Sequence, residues 1–300
     1  MAQARATLGE RVVNDCELVL LVRVEDEHFQ AMRRAALDYL CACFEVDPTL
    51  DDDALLSAFD AHVHTVANRT PNGLMIPKKE FEREFNDVHA ATSRWLATLG
   101  LDALFYQLEC PLDFRVVSGV ETDAVQNRPY SSSKTHLDLW SGDPGDHVII
   151  AVPVFGDPER TSVEYFEPPD ALDESYIRVL DGYDGVQALL ADARPYPVRP
   201  QVGCALFVDA LVPHRTVRRG GSVRVNVEIR VRRTTTPDER AFMEANCAPA
   251  RLLAYMSTPE WHEIGISKLL TFLDMNADAK RGIFPTHRHG EGRYRVVDRR

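Results

Sequence analysis

The sequence lacks any Cys-x-x-Cys pair, and its six cysteines, at 16, 41, 43, 110, 204 and 247, are scattered. A chain of 300 residues buries enough core to need no disulfide staples, so these cysteines read as reduced thiols. No stretch approaches eighteen consecutive apolar residues, and MAQARATLGERVVNDCELVLLVRV contains no cleavable apolar run. Neither membrane spanning nor export is therefore expected, and the expected location is the cytoplasm. Lysine is scarce, five among 34 basic residues, and basic residues as a whole are outnumbered by 46 acidic ones, for a net charge of −12. Such a field repels nucleic acid and anionic membranes and attracts cations, a polycationic small molecule among them. Internal repeats and low-complexity linkers are also missing, which favours one elaborated domain over residues 1–300.

Three textures follow one another along the chain. Residues 1–102 read as a helical buttress, because Phe29, Met32, Ala36, Leu40 and Phe44 recur at three and four, as do Phe81, Phe85, Val88, Trp95 and Leu99. Between these faces, Asp51 to Asp53 can cap a helix carrying Leu55, Phe59, Val63 and Val66, and Gly100 suits a helix end. From 103 to 233 the chain breaks into short β-rich runs, LFYQLE, RVVSGVE, YSSSKTHLDLW, HVIIAVPVF, SVEYFE, CALFVDALV and SVRVNVEIRVRR, set too closely for a βαβ series. They predict an antiparallel sandwich or barrel, with a short helix through Val186, Leu189 and Leu190 in an insertion. Residues 234–300 read as helices, in TPDERAFMEANC and EWHEIGISKLLTFLDMN, followed by a polar tail.

Two residues apart on a strand, His136 and Asp138 point to one face and can offer an imidazole and a carboxylate to a single cation. Alone this pattern is weak, since His289 and Glu291 repeat it. A third ligand comes 78 residues later, where GCALFVDALVPHRT carries His214 near its end. Two histidines and a carboxylate on one face of an octahedron leave adjacent positions open, as non-haem Fe(II) oxygenases require. The run from Val223 to Val231 alternates strictly, so Arg224, Asn226, Glu228 and Arg230 share one face and valines and Ile229 the other. Arg224 follows His214 by ten residues, and a return through RRGGS would bring its planar fork toward the metal, ready to pair with a carboxylate.

His-x-Asp, a distal His reached through a Gly-x-x-x-Phe strand and an Arg ten residues on resemble the signature order of Fe(II)/2-oxoglutarate-dependent dioxygenases, over residues 125 to 233. Within that superfamily the chain looks most like the phytanoyl-CoA dioxygenase-like branch and the tailoring enzymes of antibiotic pathways. The resemblance implies a mainly β fold with flanking helices around a double-stranded β-helix, a cupin-like jelly roll. It further implies Fe(II) on His136, Asp138 and His214, 2-oxoglutarate as co-substrate on Arg224, O2 as oxidant, and oxidation of a substrate C–H bond. Asn226 departs from the serine found there in many relatives, and Thr216 adds a hydroxyl on the ligand face, so both are candidate co-substrate contacts. Asp138 in place of Ala or Gly leaves no vacancy for halide, which argues against a halogenase.

If the strand is regular, Ser132, Lys134 and Trp140 share the face of His136 and are candidate substrate contacts, with Glu164 on the SVEYFE run. His62 and His64 point about 200° apart on a helix and cannot easily share a metal; His287 and His289 belong to a solvated tail. The charge balance favours a polar, amine-bearing small molecule of aminoglycoside type as substrate, with no nucleic-acid or membrane partner. A cupin-like metal-binding protein and a zinc-type hydrolase on the same three ligands remain the alternatives.

Overall fold

A computed structural model describes residues 1–101, 104–110, 112–143, 145–233, 236–238, 241 and 260–263. The expected helix through TPDERAFMEANC lies almost wholly outside the described residues, as does the polar tail. Where EWHEIGISKLLTFLDMN was expected to be helical, its described part, Glu260–Glu263, is instead a strand that pairs antiparallel with Phe105–Cys110.

Antiparallel β-sheet flanked by helices makes up the fold. The strands are β1 (Val12–Cys16), β2 (Val19–Arg23), β3 (Phe105–Cys110), β4 (Asp113–Val117), β5 (His147–Gly156), β6 (Thr161–Tyr165), β7 (Cys204–Asp209), β8 (His214–Arg218), β9 (Arg224–Arg233) and β10 (Glu260–Glu263). Eight of them form a large sheet in the order β1-β2-β7-β5-β9-β3-β10, with β4 also on β9. Strand β9 is long enough for β3 to pair near its end, at Val231 to Arg233, and β4 near its start, at Arg224 to Glu228. The small sheet pairs β6 with β8 and is extended by bridges from His214 to His136 and from Phe166 to Pro195.

Helices α1 (Ala2–Leu8), α2 (Asp26–Phe44), α3 (Asp52–His62) and α4 (Glu82–Ala97) precede most of the sheet, and α5 (Asp123–Gln126) is a single turn. The predicted apolar stripe of α2 is buried at Phe29, Met32, Ala36, Leu40 and Phe44, and Phe85, Val88, Trp95 and Leu99 are buried on or just after α4. Asp51 caps α3 as expected, its carboxylate accepting from the Ala54 N–H at 2.9 Å. Edge-to-face rings tie helices to sheet: Tyr39 meets Phe85 at 5.3 Å and Phe114 of β4 at 5.2 Å between centroids, and Phe59 meets Phe155 of β5 at 6.1 Å. One apolar cluster thus runs through α2, α3, α4 and the valine face of β9.

The first hundred residues are not wholly helical. VVNDC and VLLVR form β1 and β2, and β2 pairs with β7 along the edge of the large sheet. Val19 to Val22 are all buried, so this run shows neither a helical stripe nor an alternating one and periodicity could not reveal it. The return through RRGGS follows a further strand, since HRTVR forms β8 before it. The expected helix near Val186 amounts to one 3₁₀ turn, Asp184–Val186. Cys16, Cys41, Cys43 and Cys204 are free, and burial lifts the thiols of Cys41 and Cys43 to about 11 and about 12, which keeps them unreactive. Among the described residues no helix is long and apolar enough to cross a membrane.

Strand β5 ends at Gly156, opposite Arg224, after an irregularity in register between Pro153 and Phe155. Gly156 has φ +89°, and a Cβ there would lie 1.9 Å from the Val223 carbonyl oxygen. Gly156→Ala should therefore cost about 2 kcal/mol or more in urea unfolding, from the left-handed backbone and the clash together. An unchanged unfolding midpoint would show that this close approach does not constrain β9.

Candidate metal centre

Strict alternation in β9 aims Val223, Val225, Val227, Ile229 and Val231 at the helices and Arg224, Asn226, Glu228 and Arg230 into a cavity of about 200 Å³. The opposite wall comes from the small sheet, through Val163, Tyr165, His214 and Thr216. Ile149, Ala151 and Val208 of the large sheet supply an apolar floor, and Thr70, Asn72 and Leu74 reach in from the segment before α4.

His136, Asp138 and His214 meet on this wall, each offering one ligand atom, and these atoms all lie within 4.8 Å of one another. His136 and His214 exchange backbone hydrogen bonds, both at 2.9 Å, which fixes the two imidazoles side by side with centroids 4.5 Å apart. The expected regular strand from 130 to 140 is not present. A single bridge holds residue 136, and Asp138 opens a 3₁₀ turn, Asp138–Ser141, that swings its carboxylate beneath the two rings. Asp138 Oδ1 stands 3.5 Å from His136 Nε2 and 3.4 Å from His214 Nε2.

Each ring is oriented from behind. His136 Nδ1 lies 2.7 Å from the Lys134 carbonyl and His214 Nδ1 lies 3.1 Å from the Val212 carbonyl. A carbonyl can only accept, so each Nδ1 carries the hydrogen, and in the neutral ring Nε2 presents its lone pair to the shared space. Tyr183 stacks on His136 with centroids 4.4 Å apart and planes 17° from parallel.

Burial would raise the Asp138 carboxyl, but the imidazole of His214, which donates to it from Nε2 when protonated, and the nearby Arg230 guanidinium hold it well below the ordinary carboxylate range. Burial and the neighbouring His214 depress His136. Burial also works against a charged His214, yet Asp138 prevails and raises it. The set is therefore a pair of imidazoles around an ionised carboxylate, arranged to receive a cation in place of a proton.

Arg224 is buried almost completely, and its Nε and Nη1 have no hydrogen-bond partner among the described residues. Burial pulls its guanidinium below its usual range, opposed by Glu228 and Tyr165. Asn226 lines the same cavity, its Nδ2 donating to Glu228 at 3.1 Å while its Oδ1 has no partner among the described residues. Thr216 lines the cavity, and so does Ser132, whose buried Oγ has no partner among the described residues.

Three expected substrate contacts lie elsewhere. Lys134 turns away, and its ammonium donates to the Arg128 carbonyl at 3.1 Å and to Asp184 at 2.9 Å, because the turn before His136 breaks the alternation on which its placement relied. Trp140 is buried with Leu137, Leu139, Val186 and Leu190, its indole N–H donating to the Tyr176 carbonyl at 2.9 Å. Glu164 points outward to Arg215, at 2.8 Å, and to Arg219, since the in-facing positions of β6 are Val163 and Tyr165. Of the other histidines, His64 pairs its Nε2 with Ser118 Oγ at 3.1 Å, and His62 is exposed.

Several cavity residues carried little or no sequence signal. Glu228 and Arg230 were visible as the polar face of β9, but it is the docking of β4 on Arg224 to Glu228 of that strand that brings them against Asp113 and Arg115. Tyr183 reaches His136 from the distant insertion, and nothing in its local sequence marks it.

No protein-family profile matches the chain, and no curated protein matches it in sequence. Solved structures similar to it include the non-haem alpha-ketoglutarate-dependent carbocyclase SnoK from nogalamycin biosynthesis, at 10% identity and a TM-score of 0.45, covering 72% of this chain and 79% of that one. AviO1 from Streptomyces viridochromogenes Tue57 matches at 12% identity and a TM-score of 0.43, covering 79% of this chain and 96% of AviO1. An N-substituted L-amino acid dioxygenase from Burkholderia ambifaria AMMD, in complex with alpha-ketoglutarate, matches at 14% identity and a TM-score of 0.37, covering 78% and 90%.

Because Asp138 stabilises a proton on His214, a divalent cation must displace that proton when the pH is below the raised value of this imidazole. Affinity for Co(II) should accordingly tighten as the pH rises through the raised range of His214 and level off above it, with about one proton released per ion at the acid end. Calorimetric titrations in buffers of differing ionisation enthalpy measure both. Affinity independent of pH over that range would contradict the arrangement.

Proposed function

We propose that the chain is a non-haem Fe(II), 2-oxoglutarate-dependent oxygenase of small molecules, with His136, Asp138 and His214 as metal ligands and Arg224 as the anchor of the co-substrate. The observation that carries the reading is the convergence of three ligand atoms within 4.8 Å on a wall of the cavity that also holds a buried arginine with two unpartnered N–H groups. The donor set suits Fe(II): two imidazoles and one carboxylate leave open positions on the metal. The orphaned Nε and Nη1 of Arg224 suit a dicarboxylate, since an unpaired buried fork gains most from a charge-assisted bidentate partner. Asn226 and Thr216 are placed to complete the co-substrate's hydrogen bonds.

The strand order supports a double-stranded β-helix, with β4-β9-β5-β7 as its larger sheet and residue 136, β8, β6 and residue 195 as its smaller one. The apolar cluster shared by helices and sheet supports joining the helical buttress at 1–102 and the β core at 103–233 in one domain, and the reading extends that single domain over 1–300 with a C-terminal segment at 234–300.

When bound, iron supplies oxygen activation coupled to decarboxylation of 2-oxoglutarate, so that R–H, O2 and 2-oxoglutarate give R–OH, succinate and CO2; oxidative ring closure of a hydroxylated substrate gives water in place of the new hydroxyl. The protein's own residues set the conditions. The backbone carbonyls at 134 and 212 fix the imidazole tautomers, and Tyr183 holds the plane of His136. Tyr165, Ile149, Ala151 and Val208 exclude water beside the reacting centre. Ser132 Oγ offers a hydrogen bond to the substrate.

The substrate class in this reading is a polar small molecule. The cavity wall carries Arg115, Arg128, Arg224 and Arg230 against Asp113, Asp138, Asp143 and Glu228, so the chain's net negative charge is not concentrated there. An aminoglycoside, as in the orthoester-forming oxidation of hygromycin B assembly, is the finer form of the proposal. It rests on the overall excess of acidic residues and on the resemblance to antibiotic tailoring enzymes.

Anaerobic titration of the Fe(II) protein with 2-oxoglutarate should develop a weak visible charge-transfer band. Arg224→Gln should weaken that titration by about 3 kcal/mol, roughly a hundredfold, while Fe(II) binding persists. No band and no succinate, together with hydrolytic activity of the Zn(II) form, would replace the oxygenase with a hydrolase. Metal binding with neither activity would leave a cupin-like binding protein.

A further inference from the structure

The two oxygens of Asp138 face different partners. Oδ1 is turned to the Nε2 atoms of His136 and His214, whereas Oδ2 accepts from Arg230 Nη2 at 3.3 Å. Arg230 is itself buried and held by two further carboxylates, through Nη1 to Asp113 at 2.6 Å and through Nε to Asp143 at 3.2 Å. Its backbone is fixed in β9 opposite Ile149 of β5, and Asp113 is fixed in β4 opposite Glu228 of β9. A rigid guanidinium anchored to the large sheet therefore grips a carboxylate that sits in a 3₁₀ turn at the other side of the cavity.

We propose that Arg230 is a positioning residue that makes Asp138 a one-oxygen ligand, by occupying Oδ2 so that only Oδ1 reaches the cation. The inference rests on the metal centre proposed above and goes beyond it, because three ligands alone do not decide how many positions they fill. A carboxylate binding through both oxygens would take a fourth position and leave two. Held by Arg230, Asp138 takes one, and three remain for a bidentate 2-oxo acid and dioxygen. The planar fork suits this role: each of its three nitrogens meets a different carboxylate, a geometry that a lysine ammonium on a flexible stem does not reproduce.

The test uses the full chain with Co(II) as the probe, measuring affinity and the visible d–d band, alongside thermal unfolding of each variant. Arg230→Lys keeps the charge and loses the fork, and should bind Co(II) about 10- to 100-fold more weakly. Its d–d band should change shape as Oδ2 joins the coordination sphere. Asp113→Asn, which removes the shortest anchor of Arg230 while leaving the arginine in place, should lower the affinity severalfold and shift the band in the same sense. It decides the matter alone if Arg230→Lys does not fold. Variants that unfold at lower temperature yet keep the parent's Co(II) affinity and band would make Arg230 merely structural and overturn the inference. A parent protein that takes up no Co(II) would overturn the metal centre itself, a result distinct from the first.

Discussion

Ionised Asp138 can stay buried only because opposite charge and hydrogen-bond donors surround it, and the rest of the site is arranged around that requirement. Desolvating a carboxylate without a partner costs several kcal/mol, and removing one member of such a buried set typically costs about 3–5 kcal/mol. Here the compensation comes from three directions, His136 on the bridge, His214 at the start of β8 and Arg230 in the middle of β9. Arg230 in turn needs Asp113 and Asp143, and Arg115 ties Asp113 to Glu228 at distances of 2.9 and 2.7 Å. The charges form one chain of contacts across β4, β9 and the turn after His136.

Strand β9 divides the molecule into two chemistries within a few ångströms. Its valine face belongs to the same apolar cluster as Tyr39, Phe85 and Phe114, so the helices fix the strand from behind. Its other face carries four consecutive in-pointing polar residues, all buried. Such a strand is stable only when helices cover one side and counter-charges line the other, which explains why the N-terminal helices and β4 are both required for the cavity to exist.

The sequence made some of this legible and hid the rest for identifiable reasons. Alternation in Val223 to Val231 and three-four spacing in α2 are local signals, and both elements and their faces emerged as expected. The His-x-Asp pair and the distant histidine were recognisable as an ordered set, and the structure brings their ligand atoms together. Residues 19–22 of β2 are apolar and buried without interruption, and His214–Arg218 mixes charge with partial burial, so neither carries a period to read. Lys134 and Trp140 were misplaced because a strand register was extended through segments that in fact turn, whereas Glu164 sits in a regular strand whose inward face is the other one, a difference of one residue that reverses the side. Asp113 and Tyr183 depend wholly on tertiary pairing, which a single sequence does not express.

The stacking of Tyr183 on His136 links the insertion between β6 and β7 to the ligand set. Gln187 of the same insertion donates to the carbonyls of Thr135 and Tyr183, at 2.9 and 2.8 Å, so the loop grips the backbone next to the ligand as well as its ring. Anyone exchanging this loop to change which molecules the cavity accepts would also be altering the mount of an imidazole. A graft that keeps the tyrosine, the glutamine and the apolar residues packed on Trp140 in register would preserve that mount, whereas one chosen only for shape would disturb it.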